Sequence, residues 1–414
     1  MSFRRFFQDL GPGLITGAAD DDPSGISTYS VAGAAFGYLP LWTALFSFPL
    51  MSAVQLMCAR LGMVTGLGLA GVIRRRYSRW VLWGACALLV IANVVNIAAD
   101  LGGMAEATRM VTRAPVAATV PLYGVVIVVL LMWSSYRTIA RVFKWLTLVL
   151  LAYVLTAFVA HVDWRLALRM TFIPRVEWSR AFFSVLVAIL GTTISPYLFF
   201  WQAAQEVEEE RALGRNLARR RGATPEELQA CRTDVVTGMF ASNAIMYFII
   251  MTTAATLHEH GQTNIATAQQ AAEALRPLAG AGAYWLFTLG LIGTGVLAVP
   301  VLAGSCAYAI AEASAWRGSL NQRPSRAAHF YLVLAVAMAL GIGLNYAGLD
   351  AIRLLFTTAV INGVLAPPLI LIVLLLTGNR KVMGEAVNSP LLSFLGWLTF
   401  VVMVVAALGL FVAS

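Results

Sequence analysis

Residues 11–38 read GPGLITGAADDDPSGISTYSVAGAAFGY. The stretch is long enough to cross a bilayer core, which takes about 20 mainly apolar residues. Yet Asp20, Asp21 and Asp22 stand consecutively near its middle. Each acid would cost about 2.5–3.5 kcal/mol at the centre of a membrane helix. Pro23 follows. It cannot donate to the helix ladder, and it pushes Asp22 out of the α region. Ser24 and Gly25 complete a turn-like D-P-S-G. The sequence therefore predicts a helix broken at mid-depth, with backbone carbonyls freed. Such a break is tolerated in a membrane only where it lines a cavity or is buried in protein.

The rest of the chain supplies the membrane context. Of 414 residues, 59% are hydrophobic and only 12% charged, against about half and about a quarter in a soluble domain. We read eleven apolar spans, at about 12–37, 39–67, 80–112, 117–135, 140–162, 181–205, 234–257, 279–313, 328–347, 350–376 and 391–412. They leave no room for a separate soluble domain, so 1–414 is expected to be one transmembrane unit. The start, MSFRRFFQDLGPG, lacks the pattern of a cleaved signal peptide. The net charge of +9 does not point to nucleic acid, because the basic residues lie in short segments between apolar runs. Arg4, Arg5, Arg74–Arg76, Arg79, Arg137, Arg141, Lys144, the arginines of 211–232, Arg317, Arg323, Arg326, Arg380 and Lys381 all fall inside if the N-terminus is cytoplasmic. That orientation obeys the positive-inside rule and puts the C-terminus outside. The expected location is the cell (inner) membrane, multi-pass. The polar stretch 206–233 reads as an inner loop with room for a short amphipathic helix. Its acids Glu206, Glu208, Glu209 and Glu210 read as a solvated helix end, and the H-E-H of His258 and His260 as a solvated outer loop. Cys58, Cys86, Cys231 and Cys306 have no metal-ligand spacing and read as packing residues.

A second span breaks the pattern. Residues 184–210, SVLVAILGTTISPYLFFWQAAQEVEEE, place Gly191, Thr192, Thr193, Ser195 and Pro196 at mid-depth. The first span opens a set of five (about 10–162), and this one opens a second set of five (about 180–376). Interrupted helices at matching positions of two halves point to a transporter's substrate site. An odd number of spans per half inverts the second half relative to the first. The fold expected is thus all-α, a 5+5 inverted repeat of LeuT type, with an added helix at about 391–412.

Carboxylates, freed carbonyls and hydroxyls are hard oxygen donors, suited to Mg2+, Ca2+ or Mn2+. Asp22, beside the break, is the foremost candidate ligand. Asp20 and Asp21 serve either the ion or a structural pairing. The second break adds the Thr192 carbonyl and the Ser195 hydroxyl, with Tyr197 and Gln202 further along toward the inner exit. In the tenth span, FTTAVINGVLAPP (356–368), Thr358 and Asn362 are polar, and Asn362 offers either an amide oxygen to an ion or an interhelical hydrogen bond. Asp100, in NIAADLGG (96–103), is an intramembrane acid fit for relay or pairing. No G-x-x-x-x-G-K-[ST] phosphate loop occurs, so transport would draw on ion gradients or membrane potential. No nucleophile–base pair suggests an enzyme.

The stretch at 11–38 resembles the first helix of the Nramp divalent-metal transporters, whose signature there is D-P-G-N. The resemblance runs on through LWTALFSFPLMSAVQLMCARLGMVTG (41–66), AADLGG and GTTISPYLFFWQAAQ, where the family has M-P-H, and covers nearly the whole chain. It implies a LeuT-type fold, alternating access and a divalent cation substrate. Asp22 and Pro23 match the motif, whereas Ser24 and Gly25 stand where the family has Gly and its metal-binding Asn. Ser195 replaces the metal-binding Met, removing a soft thioether. Tyr197 and Gln202 replace two histidines, and Gly103 replaces an acid, groups tied to proton coupling in the family. A branch of Nramp-related magnesium transporters departs in the same way, with a roomier site for a partly hydrated ion. The resemblance thus implies Mg2+ or Mn2+ as substrate, with weak or no proton coupling and no cofactor. Asp21 and Gly25 join the candidate ligand set at the break. Two other readings stand beside it: a LeuT-fold carrier of Na+ or a small solute, and a non-transporting sensor on the same fold. The expected partners are the divalent cation and the lipid bilayer. The sequence leaves the oligomeric state open and is compatible with a monomer.

Overall fold

The computed structural model describes residues 11–133, 148–212, 214 and 223–413. Arg4, Arg5, Arg137, Arg141, Lys144, the arginines of 215–221 and the start of the fifth expected span lie outside these residues. Among the described residues there is no strand. The first expected span is two helices, α1 (Pro12–Asp20) and α2 (Pro23–Phe36), of 9 and 14 residues. Next come α3 (Trp42–Thr65), the short α4 (Leu69–Arg76), α5 (Arg79–Thr112) and α6 (Val116–Trp133). The chain continues through α7 (Leu151–Val159), α8 (Trp164–Phe172), α9 (Arg180–Thr193), α10 (Pro196–Ala212) and α11 (Pro225–Thr256). The last long helices are α12 (Ala283–Ala313), α13 (Ala328–Leu344), α14 (Ala351–Thr377) and α15 (Pro390–Val412). Among the described residues nine helices are long and apolar enough to cross a membrane, or ten if a pair bent by 118°, Leu148–Val159 with Trp164–Phe172, is one span. The split first helix is not one of the nine.

Two boundaries differ from the sequence reading. The described residues of 206–233 are mostly helical where a loop was expected: α10 runs on to Ala212, and α11 begins at Pro225 behind a capping box in which the Thr224 hydroxyl and the Glu227 carboxylate each accept the other residue's N–H. Three acids of the run after Gln202 are not solvated either. Glu206, Glu208 and Glu210 are buried, and Glu208 accepts bonds from Arg211, Ser319 and Asn321. His258 likewise is no free loop residue, since its Nδ1 lies 2.7 Å from the Ala34 carbonyl oxygen.

The interrupted helices sit at the centre. α1 and α2 pack along α11, α9 packs on α14 and α2, and α10 packs on α3 and α12. Among the described residues the most extensive helix packing joins α5 to α12, and α14 and α13 also lean on α5. α15 closes the outside of α9, α14 and α3. Small residues permit close crossings. Gly17 and Gly238 leave no room for a side chain between α1 and α11, and a Cβ on Gly13 would lie 2.6 Å from the Val235 backbone nitrogen. The free N-terminus of α1 is held by an acid of its neighbour: Asp234 accepts from the N–H groups of Gly11, Gly13 and Leu14 at 2.8, 2.6 and 3.0 Å. Helix N-termini leave such donors unpaired and carry partial positive charge, so a carboxylate suits the place.

This crossing yields a test of packing. In Gly13→Ala the new methyl meets backbone, which cannot swing aside, so the unfolding midpoint in detergent should fall by the equivalent of about 1–3 kcal/mol. Gly84→Ala, with nothing within 4 Å, should leave the midpoint unchanged or slightly raised.

Candidate metal site

The break in the first helix is built by its own residues. α1 ends on Asp20, and Asp21 leaves helical geometry at φ −81°, ψ 52°. Asp22 is extended (φ −71°, ψ 170°) and caps α2, whose first residue is Pro23. Its Oδ1 accepts from the Ser24 hydroxyl at 2.6 Å and from the Gly25 N–H at 2.7 Å. Gly25 thus contributes through its N–H a donor that orients Asp22. The other oxygen, Oδ2, faces neighbouring helices. Asn96 Nδ2 of α5 lies 3.3 Å away and the Tyr197 hydroxyl of α10 lies 3.5 Å away. Tyr197 also donates to the freed Ala19 carbonyl at 3.2 Å. Asp22 is 2% exposed, so the site is shut off from both sides of the molecule.

On α5 a row of polar groups turns toward this point. Asn93, Asn96 and Asp100 follow at i, i+3 and i+7, one helical face. Asn93 Nδ2 is spent on the Leu302 carbonyl. The Oδ1 of Asn96 and both carboxylate oxygens of Asp100 are buried and have no hydrogen-bond partner. Asn96 was not among the residues singled out from the sequence. The spacing N-x-x-N-x-x-x-D in an otherwise apolar helix was the signal that could have found it.

The second break is more completely satisfied. α9 ends at Thr193, Ile194 leaves helical geometry, and Pro196 starts α10. The Ser195 hydroxyl folds back onto the carbonyls of Gly191 and Thr192, at 2.8 and 2.6 Å. Ser195 and the Thr192 carbonyl are therefore bonded to each other. Asp20 and Asp21 turn to the opposite neighbour, where the one Ser242 hydroxyl of α11 lies 2.7 Å from Asp20 Oδ2 and 3.1 Å from Asp21 Oδ1. Among the described residues no ion pair reaches Asp20, Asp21, Asp22 or Asp100. On α14 Thr358 and Asn362 are buried, and the Thr358 hydroxyl and the Asn362 amide nitrogen have no partner. Gln202 lies on the arginine-bearing side of the break. It accepts from Thr16 of α1 at 2.6 Å and donates to Glu206 at 2.8 Å.

The donors gathered around Asp22 are oxygens: carboxylates, an amide and a phenol. Among the described residues no three His, Cys, Asp or Glu side chains converge closely enough to hold a metal between them. An ion here would rest on one or two carboxylates, with neutral oxygens and its own waters completing the shell. Mg2+ in particular keeps several waters and is commonly held this way.

The chain is similar over most of its length to characterised proteins. It is 26% identical to the divalent metal cation transporter MntH of Caldanaerobacter subterraneus subsp. tengcongensis, over 96% of this chain and 90% of that one. It is 28% identical to the protein of the same name from Yersinia pestis, over 95% and 92%. Among solved structures, a manganese transporter from Eremococcus coleocola superposes with a TM-score of 0.76 at 19% identity, over 98% of this chain and 86% of that one. Mhp1, a nucleobase-cation-symport-1 transporter, follows at 0.59 and 14%, over 96% and 90%. These two establish the all-helical LeuT-type fold. The model of the family described as natural resistance-associated macrophage protein-like matches residues 13–413, which hold both interrupted helices and all the site's donors: the chain belongs to the Nramp family.

Proposed function

We propose that this protein is a secondary transporter of divalent metal cations that works by alternating access, with Asp22 as the principal anionic ligand. The observation that carries the reading is the buried oxygen cluster at the first break. Asp22 is oriented by its own turn, and unpartnered oxygens of Asn96 and Asp100 stand on the adjoining face of α5. Buried polar atoms without partners are costly, and a bound cation would relieve that cost. The names of the relatives, metal cation transporters, agree with it. We further propose Mg2+ or Mn2+ as the cargo, with weak or no proton coupling. All-oxygen donors favour hard ions, and Ser195 supplies no sulfur. In this scheme residues of about 10–162 and 180–376 are the two inverted halves, 391–412 is the added helix, and the arginine-bearing end faces the cytoplasm.

The ligand assignment is tested by titration calorimetry and proteoliposome uptake with Mg2+, Mn2+ and Ca2+. Asp22→Ala should abolish both the binding heat and the flux; uptake at the wild-type rate would end the proposal. Asp100→Asn, which keeps the shape but removes the charge, should weaken Mg2+ and Mn2+ by about 10–100-fold, the range seen when groups supporting a metal site are removed. Ser195→Met would restore a thioether and should raise Mn2+ and Cd2+ affinity relative to Mg2+ by about tenfold. An unchanged ratio would mean that position 195 does not face the ion. Uptake by the wild type without acidification of the vesicle lumen is the expected signature of uncoupled transport.

A further inference from the structure

Away from the interrupted helices, a cavity of about 500 Å3 lies between α3, α11 and α15. Its walls are largely apolar, with Leu56 of α3, Leu228 of α11 and Leu391 and Leu395 of α15 among them. Leu391 is 64% exposed, so the cavity opens sideways to the surface where acyl chains would lie. Among the described residues its charged lining is of one sign: Arg60 and Arg232 line it and no acid does. Arg60 donates through Nη2 to the carbonyls of Ala386 and Val387, which leaves its Nε and Nη1 donors for another acceptor. Arg232 is exposed. Ser52, also in the lining, is 8% exposed and its hydroxyl has no partner. Pro225 and Ser389 in the wall mark the starts of α11 and α15; Glu226 and Glu227 offset the first, and the N-terminus of α15, with no acid in its first turn, adds partial positive charge.

The depth is fixed by the neighbours. The bonds of Arg60 tie the cavity to the α14–α15 connection, which carries Arg380 and Lys381, and Arg76 of α4 donates to the Lys381 carbonyl. This is the arginine-bearing end, which the positive-inside rule assigns to the cytoplasm. We propose that the cavity binds one anionic phospholipid of that leaflet, its phosphate against Arg60 and Arg232 and an acyl chain along Leu56, Leu391 and Leu395. A free phosphate would leave the apolar walls uncovered, and an apolar helix from another protein would leave two guanidinium groups and the Ser52 hydroxyl unanswered. A lipid matches both halves of the surface. It would also tie α15 to α3 and α11.

The test uses the full-length protein in detergent, stripped of lipid and offered equal amounts of palmitoyl-oleoyl phosphatidylglycerol and phosphatidylcholine, with bound lipid read by native mass spectrometry. Two arginines at about 1 kcal/mol each predict a preference for phosphatidylglycerol of about thirtyfold. The Arg60→Gln/Arg232→Gln double variant should bring the two lipids to within about twofold. Ser52→Phe, which fills the cavity without touching its charge, should reduce retention of both. Equal retention by the wild type, a preference that survives the double variant, retention unaffected by Ser52→Phe, or displacement of the lipid by excess inorganic phosphate would each overturn the proposal. Neither arginine belongs to the interrupted helices, so the double variant should keep its Mg2+ titration. That result shows the variant is folded and separates this proposal from the transport reading.

Discussion

Pro23 has no N–H to give and will not let Asp22 be helical, and around that constraint the molecule is arranged. A continuous helix would have left three acids along a membrane span with every backbone bond spent internally. The break instead turns Asp22 into a helix cap, frees the Ala19 carbonyl for the Tyr197 hydroxyl, and points one carboxylate oxygen at α5 and α10. Freed backbone at mid-depth must be covered by protein. This explains why α1 and α2 are enclosed by α11, α9, α14 and α5, and why glycines stand where α1 meets α11.

The buried acids divide by what answers them. Asp234 and Glu312 cap helix N-termini, Asp234 on α1 and Glu312 through the N–H groups of Gly68 and Gly71. Each has a structural partner and needs no ion. Asp20 and Asp21 share a single hydroxyl from Ser242, and Asp100 has no hydrogen-bond partner. A charge buried without a partner costs several kcal/mol, so these acids and Asp22 form a region that favours positive charge. In the proposed reading a divalent cation would answer two carboxylates at once, and Asp22 with Asp100 is the pair assigned to it. In the proposed reading specificity would follow from the same accounting: the groups assigned to the ion are all oxygens, and none would favour a thiophilic ion over a hard one.

Much of the fold and part of the site are legible in the sequence, because the strongest signals are local. The apolar run 80–112 and α5 coincide almost residue for residue, as do 391–412 and α15. Both prolines sit at N1 of a new helix, where the rule for proline puts them. The acidic run after Gln202 misleads, since composition cannot tell a solvated helix end from one whose glutamates meet Ser319 and Asn321 from more than a hundred residues away. Ser242 and Asp234 carry no signal for the same reason: their roles depend on α11 lying against α1, a tertiary fact. Asn96 is different. Its phase with Asp100 puts both on one face of α5, and that periodicity is present in the sequence alone.

The closed arginine-bearing side shows what release of an ion there would require. α1 is short, is joined to α2 only through Asp21 and Asp22, and is held at its far end by three N–H bonds to Asp234 and midway by the Thr16–Gln202–Glu206 chain. Hydrogen bonds to a charged acceptor contribute about 1.5–3 kcal/mol each, so the clamp is strong while dry and weak once water reaches it. The clamp lies at the arginine-bearing end, where Gly11 and Leu14 are only partly buried. Water can therefore replace the bonds singly, and α1 can move without carrying α2. The residue that would hold the ion is also the joint between the two helices. An ion bridging Asp22 to α5 would restrain that joint, and its departure would free it.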